Sequence, residues 1–279
     1  MKRVWNKAGL IFAAGLIVTA CAVNFEWHTH KERKTVIEAE RSIPEDFIPR
    51  TFKLAAIGDS LTQGVGDSTD SGGYLPYLNE MLEQEKGVKE ASFINLGVRG
   101  TRSDQLLRKL ETDKMQEAIA ESDIVIVTIG GNDVMKVARE NILNLQYDAF
   151  EEEMVSYTER VNEIFKKIRS ENPEAAIVLV GIYNPFGKWF TEVDELNQIV
   201  DDWNEAGKSV VSQYPDSYFV GIDDLFVTTD VNLLFDDQFH PNDKGYQLIA
   251  ERVYETLGEE ALPVLARKDG TAADEENSE

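Results

Sequence analysis

Lys53-Leu54-Ala55-Ala56-Ile57 runs straight into Gly58-Asp59-Ser60-Leu61, an apolar segment of strand length ending in a turn that carries a carboxylate and a hydroxyl. Four further apolar runs of strand length, 92–96, 124–129, 176–182 and 217–222, repeat the design and are rich in β-branched residues. Longer segments of helical period fall between and after them, at 75–86, 103–120, 148–170, 192–213 and 243–257. In the third of these, Tyr157, Val161, Ile164, Phe165 and Ile168 trace one apolar stripe. Strands alternating with helices predict five parallel strands joined by right-handed crossovers, with helices on both faces of the sheet. Such a sheet binds ligands beyond the carboxyl ends of its strands.

The rest of the 279-residue chain frames that domain. A net charge of −23 makes the surface strongly acidic and argues against nucleic acid as a partner. One cysteine, Cys21, forms no internal disulfide, and one Cys with three His is too few for a structural zinc site. Residues 1–27 read as a signal or membrane-anchor segment: Lys2, Arg3 and Lys7 precede an uncharged run over residues 8–23. The run contains Val18-Thr19-Ala20-Cys21, which resembles a bacterial lipobox; the other reading is an uncleaved anchor. Positive charge ahead of the apolar run predicts an extracytoplasmic domain, tethered to the membrane or secreted. Residues 28–50 read as a polar stalk, 51–266 as the folded domain, and 267–279 as an acidic disordered tail.

The strand ends carry the chemistry. Gly58-Asp59-Ser60-Leu61 follows the first strand, the second runs through Asn95-Leu96-Gly97-Val98-Arg99-Gly100, and Gly130-Gly131-Asn132-Asp133 follows the third; Asp237-Gln238-Phe239-His240-Pro241 follows the fifth. Ser60 needs a base to become a nucleophile, His240 is the one histidine of the folded region, and Asp237 stands three residues before it to hold its tautomer. Asp236 is a second candidate for that last role. A tetrahedral oxyanion also needs donors, which Gly100, Asn132 and the N–H of Ser60 would supply. Singly, Gly100 reads equally as a turn glycine and Asn132 as a turn or capping amide.

These four blocks, in this order, resemble those of the GDSL, or SGNH, hydrolases, and the resemblance covers about residues 52–258. It implies a flavodoxin-like three-layer α/β/α sandwich with a five-stranded parallel sheet. It implies a serine esterase or lipase-type acyl hydrolase that cleaves carboxylic esters through an acyl-Ser60 intermediate, with Asp237 and His240 completing the triad and no cofactor or metal. Ser60, Gly100 and Asn132 would form the oxyanion hole, with Gly100 preferred over Gly97. The chain departs from many members in having Thr101-Arg102 after Gly100, where they carry an acidic residue.

Three other functions remain to be weighed. A metal-dependent phosphoesterase could recruit Asp59, Asn132, Asp133 and His240, but a two-metal site usually draws on several histidines. An envelope binding protein could keep the fold without the chemistry. A nucleotide-binding role is disfavoured because the first loop lacks a phosphate-loop pattern. Finally, Tyr183-Asn184-Pro185-Phe186-Gly187-Lys188-Trp189-Phe190 follows the fourth strand, and its rings predict that at least one of Trp189 and Phe190 contacts the acyl chain or alcohol of the small-molecule or lipid ester.

Overall fold

The computed structural model describes residues 49–85, 87–141, 146–184, 194–227 and 231–265. The targeting segment, the stalk apart from its last residues, the acidic tail, Trp189 and Phe190 lie outside these residues. No helix of the described residues is long and apolar enough to cross a membrane.

Five strands form one sheet: β1 (Arg50–Gly58), β2 (Val88–Gly97), β3 (Ile124–Thr128), β4 (Ala176–Val180) and β5 (Ser217–Val220). Their order is β2-β1-β3-β4-β5, and every neighbouring pair is parallel. From β1 the chain steps to one side to make β2 and then crosses back to make β3. The direction of winding therefore reverses between β1 and β3, where a sheet of this kind opens a crevice.

Strand parity sorts side chains between two cores, because successive residues of a strand point to opposite faces. Ile57, Val125, Val127, Ile177 and Leu179 are buried on one face. They lie under α3 (Ser103–Lys109), α4 (Asp113–Ala120), α5 (Gly131–Glu140), α6 (Tyr147–Glu171) and α7 (Asp194–Val211). Leu54, Ala56, Ile124, Ile126 and Val178 are buried on the other, under α2 (Tyr74–Glu83) and α9 (Asp243–Thr256). The stripe on α6 is the central ridge of the first core: Val161, Ile164, Phe165 and Ile168 are fully buried. Two short helices, α1 (Ser60–Gln63) and α8 (Asp223–Val227), complete the domain, and α9 continues into a π-helical turn, Leu257–Ala261.

Two departures from the expected elements have local causes. The helix expected over 103–120 is broken into α3 and α4 at Thr112, whose backbone is extended and whose hydroxyl donates to the Lys109 carbonyl at 2.7 Å. A β-branched residue that bonds back to the chain in this way competes with the helical ladder. The helix α5 was not expected at all, since two glycines at its start read as loop. Val134 and Val137 nevertheless give it a buried face.

Candidate active site

The turn after β1 sets Ser60. Gly58 has φ +136°, and a Cβ there would lie 2.0 Å from the Thr128 carbonyl oxygen, so only glycine lets β1 approach β3 this closely at its end. Asp59 caps α1: its N–H donates to the Thr128 carbonyl at 3.2 Å, and its Oδ1 accepts from the Leu61 N–H at 3.0 Å. Ser60 is then the first helical residue, where the backbone N–H has no acceptor within its own helix. Asp59 is buried, and burial pushes its carboxyl up to about 6 against the Leu61 and Thr128 hydrogen bonds. A chain of hydroxyls lies beneath it: Thr128 Oγ1 donates to Asp59 at 3.0 Å and pairs with Thr62 Oγ1 at 2.8 Å, which in turn meets Tyr74 OH at 3.2 Å.

His240 comes from a closed loop. The Phe235 N–H donates to the His240 carbonyl at 2.7 Å and the Asn242 N–H to the Leu233 carbonyl at 2.9 Å, while Leu234 and Pro241 pair as an antiparallel bridge. Inside this loop Asp237 Oδ1 accepts from the N–H groups of Phe239 and His240, both at 3.0 Å. Its Oδ2 lies 2.6 Å from His240 Nδ1. Partial burial opposes ionisation of Asp237, but the bonds from His240 and Phe239 outweigh it and hold the carboxyl below its ordinary value. With Nδ1 engaged, Nε2 is the nitrogen left for chemistry. Asp236 is exposed and does not share the contact with the ring.

On the opposite side, Asn132 is the second residue of α5, and its Nδ2 donates to the Thr101 carbonyl at 3.0 Å, leaving one of its two amide hydrogens unspent. Next to it, buried Asp133 ties α5 to α3: it accepts from the Ser103 N–H at 3.0 Å and from the Ser103 hydroxyl at 2.6 Å. Arg160 Nη2 bridges Asp133 at 3.4 Å and Glu153 at 2.6 Å. Burial raises the Asp133 carboxyl, opposed by the Ser103 bonds and the Arg160 charge.

Ser60, Asn132 and His240 line one cleft. Its remaining walls are mainly apolar, from Leu61, Ile129, Val134, Ile182 and Val200, with the rings of Tyr183 and Phe239. Tyr183 OH donates to the Phe239 carbonyl at 2.6 Å and its ring stacks on Phe226 at 4.0 Å, so the end of β4 is fastened to the histidine loop. Gly100 sits in an exposed turn with φ +78°, where it lines an adjoining depression rather than the Ser60 cleft. Gly97 is a packing residue, since a Cβ there would lie 2.3 Å from the Gln63 nitrogen. Among the described residues no group of three His, Cys, Asp or Glu side chains could hold a metal ion. The sequence reading missed Thr128, Ser103 and the place of Tyr183. Tyr183 had a visible signal in its aromatic segment, whereas Thr128 and Ser103 acquire meaning only through partners at least 30 residues away.

A sequence profile of the GDSL-like lipase/acylhydrolase family matches residues 56–248, which include Ser60, Asn132, Asp237 and His240. The chain belongs to that family. As a GDSL-family member it is an acyl hydrolase by class. The uncharacterized protein YpmR of Bacillus subtilis (strain 168) is 37% identical to it over 250 residues, covering 89% of this chain and 94% of YpmR. The lipase Lip_vut3 from a goat rumen metagenome shares the fold with a TM-score of 0.66 at 22% identity, over 73% of this chain and 96% of its own. A variant of Axe2, an acetyl-xylooligosaccharide esterase from Geobacillus, does so at 0.59 and 21% identity, over 76% and 96%. The five-stranded parallel sheet with its flanking helices is thus the SGNH hydrolase fold.

Proposed function

We propose that this GDSL-family hydrolase is a serine esterase that cleaves carboxylic esters through an acyl-Ser60 intermediate. The observation that carries the reading is the 2.6 Å Asp237–His240 pair, delivered by a closed loop to the cleft that Ser60 and Asn132 also line. His240 Nε2 takes the proton of Ser60 as Oγ attacks the ester carbonyl. The Ser60 N–H and the unspent Asn132 amide hydrogen stabilise the oxyanion. His240 then passes the proton to the departing alcohol, and water repeats the sequence to free the acid and Ser60. Asp237 fixes the tautomer and balances the imidazolium without itself being protonated. Apolar walls suit the acyl group. The N-terminal run and Cys21 support a further part of the proposal, that the enzyme works outside the cytoplasm on a membrane tether.

Hydrolysis of p-nitrophenyl acetate and butyrate tests this. Ser60→Ala and His240→Ala are each expected to lower kcat by about 10³-fold or more, with the circular dichroism spectrum unchanged. A fluorophosphonate is expected to label Ser60 in the wild type and leave Ser60→Ala unlabelled. Wild-type turnover in Ser60→Ala would end the serine reading. Activity lost to a chelator and restored by a divalent cation would favour the phosphoesterase instead.

A further inference from the structure

A second depression opens where the turn after β2 meets α3, and its composition is at odds with the chain around it. In a protein of net charge −23, Arg99, Arg108 and Lys109 all line this one hollow and no carboxylate does. Arg108 shares Asp104 with Arg102, at 3.0 Å from each. Lys109 is half-buried, donates to Thr101 Oγ1 at 2.9 Å, and has no carboxylate partner among the described residues. The Arg99 guanidinium is exposed and likewise without a carboxylate partner among them. Burial lowers the Lys109 ammonium, as it does for a cation lacking a counter-ion. Gln105 adds an amide whose oxygen is taken by the Arg102 N–H at 2.9 Å, which leaves its NH₂ hydrogens as donors.

This hollow is linked to the candidate catalytic cleft through Thr101. Gly100 lines it, and so does Thr101, whose hydroxyl meets Lys109 while its carbonyl holds the Asn132 amide. An anion seated on Lys109 is therefore one residue away from the backbone that frames the oxyanion donors. Since the Ser60 cleft has apolar walls fit for the acyl group, a charged group on a substrate would sit on its alcohol side. Two guanidinium forks, an ammonium and an amide suit a group with several oxygens, which favours phosphate over a single carboxylate. Resting on the serine-esterase reading, we infer that the hollow lined by Arg99, Arg108 and Lys109 is an anion subsite that selects esters carrying a phosphate on their alcohol portion. The negative field of the whole protein repels such substrates, so recognition depends on this local focus of opposite sign and weakens with salt.

The test compares 1-acetylglycerol 3-phosphate with glycerol monoacetate on the full chain. In the wild type kcat/KM is expected to favour the phosphate ester by about tenfold at low salt, with the preference shrinking by 0.5 M NaCl. In the Arg99→Gln/Lys109→Gln double variant the ratio of the two rates is expected to fall towards one. A wild-type ratio near one, or a ratio unmoved by the double substitution, would overturn the subsite. Calorimetric titration of the phosphate ester into Ser60→Ala reads the same subsite without turnover. Salt-sensitive binding that weakens on adding Arg99→Gln and Lys109→Gln supports it even if no ester is cleaved, which would count against the esterase reading alone. Absence of binding at millimolar ester overturns the subsite while leaving that reading intact. A palmitoyl homologue turned over faster than the acetyl ester would assign the phosphate to a lipid headgroup, and the reverse order to a soluble phosphate ester; either order is a form of the same subsite.

Discussion

Asp59 is a carboxylate held out of water directly beside Ser60, with its carboxyl pushed up to about 6. An unfolded chain ionises this group near 3.8, so between those values the folded protein binds the extra proton. Stability attributable to Asp59 is therefore highest in acid and falls as pH rises through the window from about 4 to 6. The full difference is about 3 kcal/mol. Asp59→Asn keeps an oxygen for the Leu61 N–H and the Thr128 hydroxyl but has no charge to bury. Urea unfolding at pH 4.5 and pH 7 is expected to show the variant gaining on the wild type as pH rises; identical pH slopes would refute the assignment. At this scale the candidate site was legible because Ser60, Asn132, Asp237 and His240 sit at strand ends in a recognisable order. The raised Asp59 carboxyl was not legible, because it comes from burial, which is complete only when β1 and β3 pair and bring Thr128, 69 residues away, against it.

Between elements, the joint that matters most for chemistry is the one from α3 to α5. Asp133 accepts two bonds from Ser103 and faces Arg160, and the residue before it is Asn132. Asp133→Ala would leave the Ser103 N–H and the Arg160 guanidinium without their buried acceptor, at a cost of about 3 kcal/mol. It would also release the start of α5, so kcat is expected to fall under conditions where the variant is still folded. A midpoint and a kcat both equal to the wild type would show that Asn132 is held by other means. The sheet was readable in advance because five short β-branched runs stood between amphipathic segments. Helix α5 was not, since Gly130 and Gly131 are loop residues by any local rule; it exists because the sheet supplies a surface for Val134 and Val137. The break at Thr112 was hidden for the opposite reason, a continuous apolar pattern that concealed one hydroxyl bonding back to Lys109.

For the molecule as a whole, the order β2-β1-β3-β4-β5 puts the site at the reversal of winding, with Ser60 after β1 and Asn132 after β3. The third component enters last: the loop bearing Asp237 and His240 follows β5, and α9 follows the loop. Helix α9 packs with α2 over Leu54, Ala56, Ile124 and Ile126. The imidazole and the sealing of that core are thus delivered by the same final stretch of chain. A growing polypeptide that has reached Val220 has every strand and Ser60, yet lacks His240, the proposed base, and has one face not yet covered by α9. Truncation there is expected to give a product that cleaves no ester and binds a hydrophobic dye, and ester cleavage by it would contradict the arrangement. With His240 as the proposed base, catalysis doubles as a proof of completion: nascent, clipped or half-folded copies are expected to stay silent, so that turnover in a mixed population counts finished molecules alone.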